Sequence, residues 1–377
     1  MEIIIGSDLV PTESNYELFN NADVDALIGI DLNSVLSEAD YRIFNLEVPL
    51  TNVETPISKC GPNLISSPST IEGIKALGVD FLTLANNHIL DQGKQGLYST
   101  INILSKNNIA FAGAGSNLNE ASRPYIFEIE GKKIGIYCCA EHEFTIATET
   151  TAGANPFDPF ESLDHIQELK LQTDYVIVLY HGGKEHYRYP SPYLQKVCRK
   201  CVEKGADLVV CQHSHCIGCE EKYLNGTIVY GQGNFIFNKY DNEFWNNAFL
   251  IKITNDLDIY YIPLVKEKNT VRIADEKKSK EIMLQFKQRS SEILIDGFIE
   301  KKYSEFSKSM INHYLFKLSG KRRSFLFRAI NKLSGYRYMS FYLKRRYTQS
   351  DLLTIQNYIE CEAHRELLCK GIKCNRN

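Results

Sequence analysis

Short apolar runs rich in β-branched residues alternate with helix-like stretches through the first part of this chain. The runs read EIII, YRIFNLE, VDFLTLA, IAFAG, KIGIYCCA, DYVIVLYH and ADLVVCQH, and each has the length and composition of a buried strand. Helix-like spacing covers residues 69–77, 94–106 and 192–204 between them. This alternation predicts a layered α/β fold with a largely parallel core.

The pattern changes after residue 227. The runs TIVYGQGNFIF, NAFLIKIT and LDIYYIPLV follow one another without room for helices, so we expect an antiparallel part there. After about residue 268 the chain becomes helical, basic and aromatic, with no clear strand. We therefore place a domain boundary at this point, which gives an α/β domain over 1–267 and a helical basic region over 268–377.

The distribution of charged residues also changes at about residue 268. Residues 268–377 hold 24 Lys and Arg against 11 Asp and Glu, a net charge of +13, whereas residues 1–267 carry a net −16. With 44% hydrophobic and 24% charged residues, the chain as a whole has an ordinary globular composition. An acidic body joined to a basic segment predicts two regions with different partners.

The sequence predicts neither an export signal nor a membrane span. No apolar run approaches the roughly 18 residues needed to cross a bilayer, and the N-terminus MEIIIGSDLV lacks a basic leader. Eleven cysteines without an export signal indicate free thiols in a reducing compartment. We therefore expect a cytoplasmic protein, with peripheral membrane association left open.

Polar side chains follow five of the predicted strands at the point where each strand ends. The carboxyl ends of strands in an open α/β sheet form the ligand crevice. A lone His after a strand is more often a hydrogen-bonded core residue, but five converging strand ends favour a metal site for Zn, Mn, Fe or Co. The residues concerned are Asp8, then Asn45 and Glu47, then Asn86, Asn87 and His88, then His181, and finally His213 and His215.

The motifs NLEVPLT, LANNHILDQG, HGGKEHY, GADLVVCQHSHCIG and IVYGQGNFIF, in this order, resemble the CapA family of poly-γ-glutamate capsule synthesis proteins. The resemblance covers roughly residues 3–240 and leaves out the C-terminal segment. It implies the calcineurin-like metallophosphoesterase fold, a four-layer α/β/β/α sandwich, here with a helical basic appendage.

The resemblance also implies a role for each matching residue. One or two divalent ions of the Mn, Fe or Zn class are expected, with Glu47 bridging them and His88 as the acid or transition-state stabiliser oriented by Asp91. The implied metal ligands are Asp8, Glu47, Asn87, His181, His213 and His215.

One position departs from the wider superfamily. That pattern has a His two residues after the first Asp, where this chain has Val10. The first ion would keep Asp8, Glu47 and His215 but lose one imidazole, so a weaker or missing second ion is an open alternative, with Asn45 as a possible compensating ligand.

Substrate-binding candidates lie around the same edge. The loop after His181 could form a substrate wall with Arg188 facing an anionic group, although a solvated loop is an equal alternative. The candidates are Asn45, Asn86, Glu185, Arg188 and Asn234.

The cysteines near the HSH motif allow two interpretations. Cys211, Cys216 and Cys219, with Cys198 and Cys201, could form a zinc knot, but the apolar context favours small core residues. Near the C-terminus, Cys361, His364, Cys369 and Cys374 fit no common metal spacing. The AGAGSN segment lacks the third glycine of a dinucleotide fingerprint, and the sequence has no P-loop.

These observations favour a metal-dependent hydrolase of a phosphoester or related bond, with an anionic or polymeric substrate, in capsule or exopolysaccharide synthesis. The alternative is a non-catalytic subunit that organises a membrane-associated polymer synthesis complex.

The basic segment 320–347 is a candidate for a peripheral membrane contact or an acidic protein partner. Helical spacing places Leu326, Ile330 and Leu333 on one face, with Arg323 and Lys332 elsewhere. Packing of that face on the α/β domain is the main alternative. Nucleic acid is not expected, because no recognition motif accompanies the charge.

Overall fold

The computed structural model describes residues 1–237, 242–320, 325–335 and 337–375, and it divides into two compact units, Met1–Glu300 and Lys301–Asn377. The strands of the described residues are, in chain order, β1 Ile3–Leu9, β2 Tyr41–Leu46, β3 Phe81–Thr83, β4 Ala110–Ala112, β5 Ala114–Gly115, β6 Tyr125–Ile129, β7 Lys132–Ala140, β8 Gly153–Ala154, β9 Tyr175–His181, β10 Leu208–Gln212, β11 Glu220–Tyr223, β12 Gly226–Tyr230, β13 Asn234–Ile236, β14 Asn247–Ile253, β15 Ile259–Glu267 and β16 Thr270–Ile273.

Helices lie between and after these strands, with two short 3₁₀ turns at Pro68–Thr70 and Glu243–Trp245. The α-helices are α1 Tyr16–Asn20, α2 Val24–Ile28, α3 Ile30–Glu38, α4 Ile71–Ala76, α5 Gly93–Lys106, α6 Leu118–Ala121, α7 Glu161–Lys170, α8 Pro192–Glu203, α9 Glu276–Glu292, α10 Phe298–Leu318, α11 Phe325–Leu333, α12 Arg337–Arg346, α13 Gln349–Glu360 and α14 Glu362–Cys374.

Two large sheets and one small one are formed. The larger sheet runs β16-β15-β14-β1-β2-β3-β4, and β13 also pairs with β1. The second sheet runs β11-β12-β10-β9-β7-β6, and β5 pairs with β8 on its own. Strands β1 to β4 pair in parallel with one another, as do β7, β9 and β10, whereas β1 is antiparallel to β14 and β7 to β6. The predicted parallel core is therefore present in both large sheets.

Period-two alternation along the strands explains the layering. In β1, Ile3 and Ile5 belong to an apolar core shared with the second sheet, whereas Ile4 packs with helical residues on the outer face. In β9, Ile177 lies in the shared core and Val178 packs with residues of α7 and α8. Since successive side chains of a strand point to opposite faces, each sheet is covered on both sides. The four-layer α/β/β/α prediction is confirmed.

The antiparallel part is smaller than predicted. Strands β14, β15 and β16 are antiparallel, but β12 pairs in parallel with β10, and β13 pairs in parallel with β1. The polar strand β11, which the sequence pattern did not reveal, makes an antiparallel hairpin with β12. Because β11 reverses the chain direction and β12 reverses it again, β12 runs the same way as β10.

The boundary between the units also differs from the predicted one. The first unit extends to Glu300, because β16 pairs with β15 and α9 packs on the same sheet. The Phe286 ring of α9 lies 5.0 Å from that of Phe249 and 4.8 Å from that of Tyr261, centroid to centroid. The helical and basic character therefore begins at a part of the chain that still packs on the first unit.

The described part of the predicted basic segment lies in the second unit and forms two helices, α11 and α12. Phe327 is buried against Phe316, Tyr338 and Tyr342, with ring centroids 5.0 to 5.1 Å apart, while Leu333 is exposed. Arg323 and the side chain of Leu326 lie outside the described residues, so the predicted apolar face is seen only in part. Among the helices that the structure describes, none has both the length and the apolar character of a membrane span.

The packing of α9 can be tested with a matched pair of substitutions. Phe286→Ala should destabilise the protein by about 3–5 kcal/mol, since it removes a buried ring from between two strands. Leu284→Ala, at a side chain that is 70% exposed in the same helix, should change stability by less than about 0.5 kcal/mol. Urea unfolding of the full chain measures both. Equally small effects would contradict the placement of α9 in the first unit.

Candidate metal centre

The predicted ligands come from adjacent strand ends in both large sheets. Asp8 lies in β1 opposite Asn45 of β2, and Glu47 follows β2 directly. His181 ends β9 opposite Gln212 of β10. The sheets pack face to face, so their carboxyl ends open onto one buried volume. This is the strand-end placement that the sequence predicted.

Two groups of three ligand-type side chains form there, and within each group the ligand atoms lie within 4.8 Å of one another. The first group, which we call the Asp8 half-site, consists of Asp8, Glu47 and His215. The second, the His181 half-site, consists of Glu47, His181 and His213. Glu47 belongs to both, so its carboxylate lies between them.

Short contacts define the His181 half-site. His181 Nε2 lies 3.2 Å from Glu47 Oε1, 3.1 Å from His213 Nδ1 and 3.1 Å from Asn87 Oδ1. In the Asp8 half-site, His215 Nδ1 lies 3.4 Å from Asp8 Oδ2. All six side chains implied as metal ligands are therefore brought together.

Several buried oxygens of this centre have no hydrogen-bond partner among the described residues. They are Oδ2 of Asp8 and both carboxylate oxygens of Glu47. Both side chains are essentially inaccessible to solvent. Leaving charged oxygens buried without hydrogen bonds is costly, and a cation is the partner that such groups usually have. Carboxylate and imidazole donors around unsatisfied oxygens fit one or two divalent ions.

The electrostatics of the centre are dominated by Glu47. Burial works to raise the pKa of its carboxyl, but the neighbouring imidazoles, His181 first, hold the pKa far below its usual range. Burial works to lower the pKa of His215, yet the close contact with the Asp8 carboxylate and the charge of Glu47 raise it to about 9. Burial and the charge of His181 lower the pKa of His213. The two carboxylates thus create a negative potential that attracts positive charge.

The loop after β10 adopts an unusual backbone. His213 and His215 have φ values of 84° and 54°, in the left-handed region that non-glycine residues rarely occupy. Such conformations persist where the surrounding structure enforces them, often at functional sites. They aim two side chains of one short loop at two different half-sites.

Next to the His181 half-site, His88 is held by a buried ion pair. Its Nδ1 lies 2.5 Å from Asp91 Oδ2, which also accepts a hydrogen bond from the Leu64 amide at 2.6 Å. Lys59 forms an ion pair with the other oxygen of Asp91, and both side chains are buried. Nδ1 of His88 therefore carries the proton that Asp91 accepts, which leaves Nε2 available to a ligand. Lys59 was not predicted, because it lies in an irregular segment.

Asn45 and Asn86 occupy a different position from the one predicted. Asn45 Nδ2 donates to Asp8 Oδ1 at 2.8 Å and lies 3.2 Å from His181 Nδ1, while Asn86 Nδ2 donates to Asn45 Oδ1 at 3.0 Å. Both amides are fully buried, so they orient the ligands from behind rather than contact a substrate. The Asn45 oxygen faces Asn86, which leaves it poorly placed to replace the imidazole missing at Val10. Asn234 Oδ1, likewise, lies 2.8 Å from His215 Nδ1.

The loop after His181 and the 3₁₀ turn Glu243–Trp245 border the Asp8 half-site. The Trp245 ring lies 4.7 Å from that of His215, and its Nε1 donates to His186 Nε2 at 2.9 Å. Arg188 donates to the Ile217 carbonyl at 3.2 Å, and its guanidinium lies 4.7 Å above the Phe244 ring. Glu185 is exposed in the same loop. His186 belongs to the loop that the sequence offered as a substrate wall, whereas Trp245 was not singled out, because nothing in the sequence links the two segments.

Two acidic residues after β7 were also missed. Glu141 Oε1 accepts a hydrogen bond from the Gly183 amide at 2.9 Å, and Glu143 Oε1 lies 3.9 Å from His213 Nε2. The run KIGIYCCA was predicted as a strand. Polar residues at the ends of the other predicted strands were taken as site candidates, and the same rule would have found Glu141 and Glu143.

The cysteines near the centre pack as apolar residues. Cys198 Sγ lies 3.5 Å from Cys211 Sγ in the outer core of the second sheet, and burial raises the pKa of the Cys198 thiol well above its usual value. Within the described parts of the chain, no group with metal-holding geometry contains a cysteine, including those near the C-terminus.

The fold and the site together define a four-layer α/β protein with a buried cluster of carboxylate and imidazole side chains at its strand ends. A sequence model of the family described as bacterial capsule synthesis protein PGA_cap matches residues 3–239, which is more than half of the chain. The chain belongs to this family, which confirms the resemblance seen in the motifs.

Individual relatives agree with this assignment. The chain is 29% identical over 213 residues to the capsule biosynthesis protein CapA of Bacillus anthracis, covering 54% of this chain and 52% of that one. It is 30% identical over 216 residues to the PGA biosynthesis protein CapA of Bacillus subtilis strain 168, covering 54% and 55%. The chain thus spans about half the length of the curated relatives it matches.

Among solved structures, a novel phosphatase from Mycoplasma pneumoniae aligns with a TM-score of 0.44 at 15% identity, over 71% of this chain and 94% of that one. At that TM-score the likeness supports no further conclusion.

A buried lysine lies on the side of the Asp8 half-site. Lys266 in β15 donates through Nζ to the carbonyl oxygens of Phe235 and Phe237, at 2.8 and 3.4 Å. Burial lowers its pKa to about 7, although the charge of Asp8 works in the other direction. An unfolded lysine has a pKa of about 10.4, so between about pH 7 and 10 the unfolded chain binds the extra proton.

This difference in pKa predicts how the effect of Lys266→Met on the free energy of unfolding varies with pH in the metal-free protein. The buried lysine costs stability in full below about pH 7, and the cost fades as the pH rises towards 10. The stability of Lys266→Met relative to wild type should therefore fall over this interval, by on the order of 4 kcal/mol. Urea unfolding at pH 7 and pH 10 measures it, with Lys196→Met, at an exposed position, as the control. A difference that does not vary with pH would contradict the burial of this ammonium.

Proposed function

We propose that this chain is a metal-dependent hydrolase that cleaves a phosphoester or a related bond in the synthesis of a capsule polymer. The observation that carries the proposal is the Glu47 carboxylate, which is buried, accepts no hydrogen bond from the described residues and lies in both half-sites. The link to capsule polymers rests on family membership and on the printed names of the relatives.

The ligand sets follow from the two half-sites. Asp8, Glu47 and His215 would hold one ion, and the His181 half-site, together with Asn87, would hold the other. Carboxylate, amide and imidazole donors suit ions of the Mn, Fe or Zn class. When bound, such ions supply Lewis acidity, which neutralises charge on a phosphoryl oxygen and eases the loss of a proton from water.

His88 is the residue that we assign to proton transfer. Its Nδ1–H is fixed on Asp91, so the imidazolium form of His88, which is protonated on both nitrogens, can deliver its Nε2 proton to the oxygen of the leaving group. Lys59 pairs with one oxygen of Asp91, and the other oxygen orients the imidazole. His88 directly follows Asn87, whose Oδ1 lies 3.1 Å from His181 Nε2, so it belongs to the loop that borders the His181 half-site.

The substrate is proposed to be anionic, with Arg188 beside the entrance to the Asp8 half-site. Its guanidinium is held by the Ile217 carbonyl and the Phe244 ring and lies 4.0 Å from the exposed carboxylate of Glu243. A guanidinium presents several donors to an anionic group. The aromatic residues around it supply an apolar wall for the rest of the substrate.

Two histidine substitutions separate metal binding from proton transfer. His88→Ala should leave metal content unchanged and lower hydrolysis of phenyl phosphate by roughly 10²–10⁴-fold, because protonation of a poor leaving group is lost. The loss should be smaller with p-nitrophenyl phosphate, whose leaving group needs little protonation. His213→Ala should instead reduce metal content. Elemental analysis and steady-state kinetics measure the two effects.

His142→Ala is the matched control, because His142 is exposed on the same edge and is not assigned to the centre. This substitution should change neither the metal content nor the rate of hydrolysis. The roles assigned here would be reversed if His88→Ala stripped the metal while His213→Ala retained it. A metal-loaded wild-type chain without activity on any phosphomonoester or phosphodiester would count against the hydrolase.

A further inference from the structure

We propose that Glu143 is a positioning residue for His213: its carboxylate accepts the Nε2 proton of that imidazole and so fixes Nδ1 as the metal-binding nitrogen. The inference rests on the proposed function, because it concerns one of the proposed ligands. It assigns a role to a segment, residues 141–145, that the hydrolase mechanism does not use.

The two nitrogens of His213 face different surroundings. Nδ1 lies 3.1 Å from His181 Nε2, on the side of the His181 half-site. Nε2 lies 3.9 Å from Glu143 Oε1. His213 is almost fully buried, whereas the Glu143 side chain is 35% exposed and can approach the ring by rotation about its own bonds.

The protonation of imidazole explains why a carboxylate near Nε2 matters for metal binding through Nδ1. A neutral imidazole that binds a metal through Nδ1 carries its proton on Nε2, and that proton needs an acceptor when the ring is buried. No hydrogen bond to Nε2 is formed within the described residues, and Glu143 is the carboxylate that approaches it. A carboxylate in this place fixes the tautomer and makes the ligand nitrogen more basic.

Neighbouring residues of the segment contact the other ligand loops. Glu141 Oε1 accepts a hydrogen bond from the amide of Gly183, two residues after His181, at 2.9 Å. Thr145 Oγ1 donates to the carbonyl of Asn86, the residue before Asn87, at 3.0 Å. Residues 141–145 therefore touch the three loops that carry His181, His213 and Asn87, and Glu143 is placed by anchors on both sides.

The experiment measures Mn²⁺ affinity of the full chain by isothermal titration calorimetry. Glu143→Ala should weaken binding about 10–100-fold, the usual effect of removing such a partner. Glu143→Gln should weaken it less, because the amide oxygen still accepts a hydrogen bond. Glu149→Ala, at an exposed residue a few positions further along the same stretch, should bind as wild type does.

A second comparison separates positioning from general charge. In a His213→Ala background, Glu143→Ala should cause no further loss, since the residue acts through that ring. Thermal unfolding of the metal-free variants checks that they remain folded.

Equal affinity of Glu143→Ala and wild type would overturn the inference while leaving the proposed function intact. The same loss with and without His213 would also overturn it, because Glu143 would then act on the ion directly. A wild-type chain that binds no Mn²⁺ would overturn the proposed function, and the inference with it.

Discussion

The candidate metal centre depends on one buried carboxylate, that of Glu47. Both of its oxygens are inaccessible and accept no hydrogen bond within the described residues, while His181 lies 3.2 Å away. A buried carboxylate is normally neutralised or paired, because its desolvation costs several kcal/mol. Here the surrounding imidazoles keep it ionised, so its pKa is lowered rather than raised. The other ligands are arranged around this charge, with Asp8 and His215 on one side and His181 and His213 on the other.

The fold supplies the rigidity that such a charge requires. Asp8 lies near the end of β1 and Glu47 follows the parallel β2 in one sheet, while His181 ends β9 and His213 follows the parallel β10 in the other. The apolar core between the sheets fixes their separation, and amides such as Asn45 hold the ligands from behind. The left-handed backbone of the loop after β10 lets His213 and His215 reach different half-sites. A short loop thereby completes both groups of ligands.

Much of this site could be predicted from the sequence, for a specific reason. Apolar runs mark strands, and the polar residue after each run marks a strand end, so Asp8, Glu47, His181 and His213 stood out without a structure. The family motifs then added roles for Asn87 and His88. The same logic missed Glu143, although it also follows a recognised strand.

Other features of the structure could not be predicted from apolar runs and the polar residues that follow them. Lys59 lies in an irregular segment, and its pairing with Asp91 depends on tertiary contact. Strand β11 is polar and β16 is short, so neither resembles a buried strand in composition. Missing them made the antiparallel part appear larger and the first unit shorter than they are. Charge composition described the C-terminal region correctly but not where its packing begins.

If the Glu47 carboxylate serves both half-sites, the number of Mn²⁺ ions bound per chain depends on this one side chain. Elemental analysis after equilibration with Mn²⁺ would compare wild type with Asp8→Asn and Glu47→Gln, both close in size to the native side chains. We expect Asp8→Asn to lower the Mn²⁺ content at the Asp8 half-site alone, and Glu47→Gln to abolish Mn²⁺ binding at both half-sites. Retention of the wild-type metal content by Glu47→Gln would contradict it.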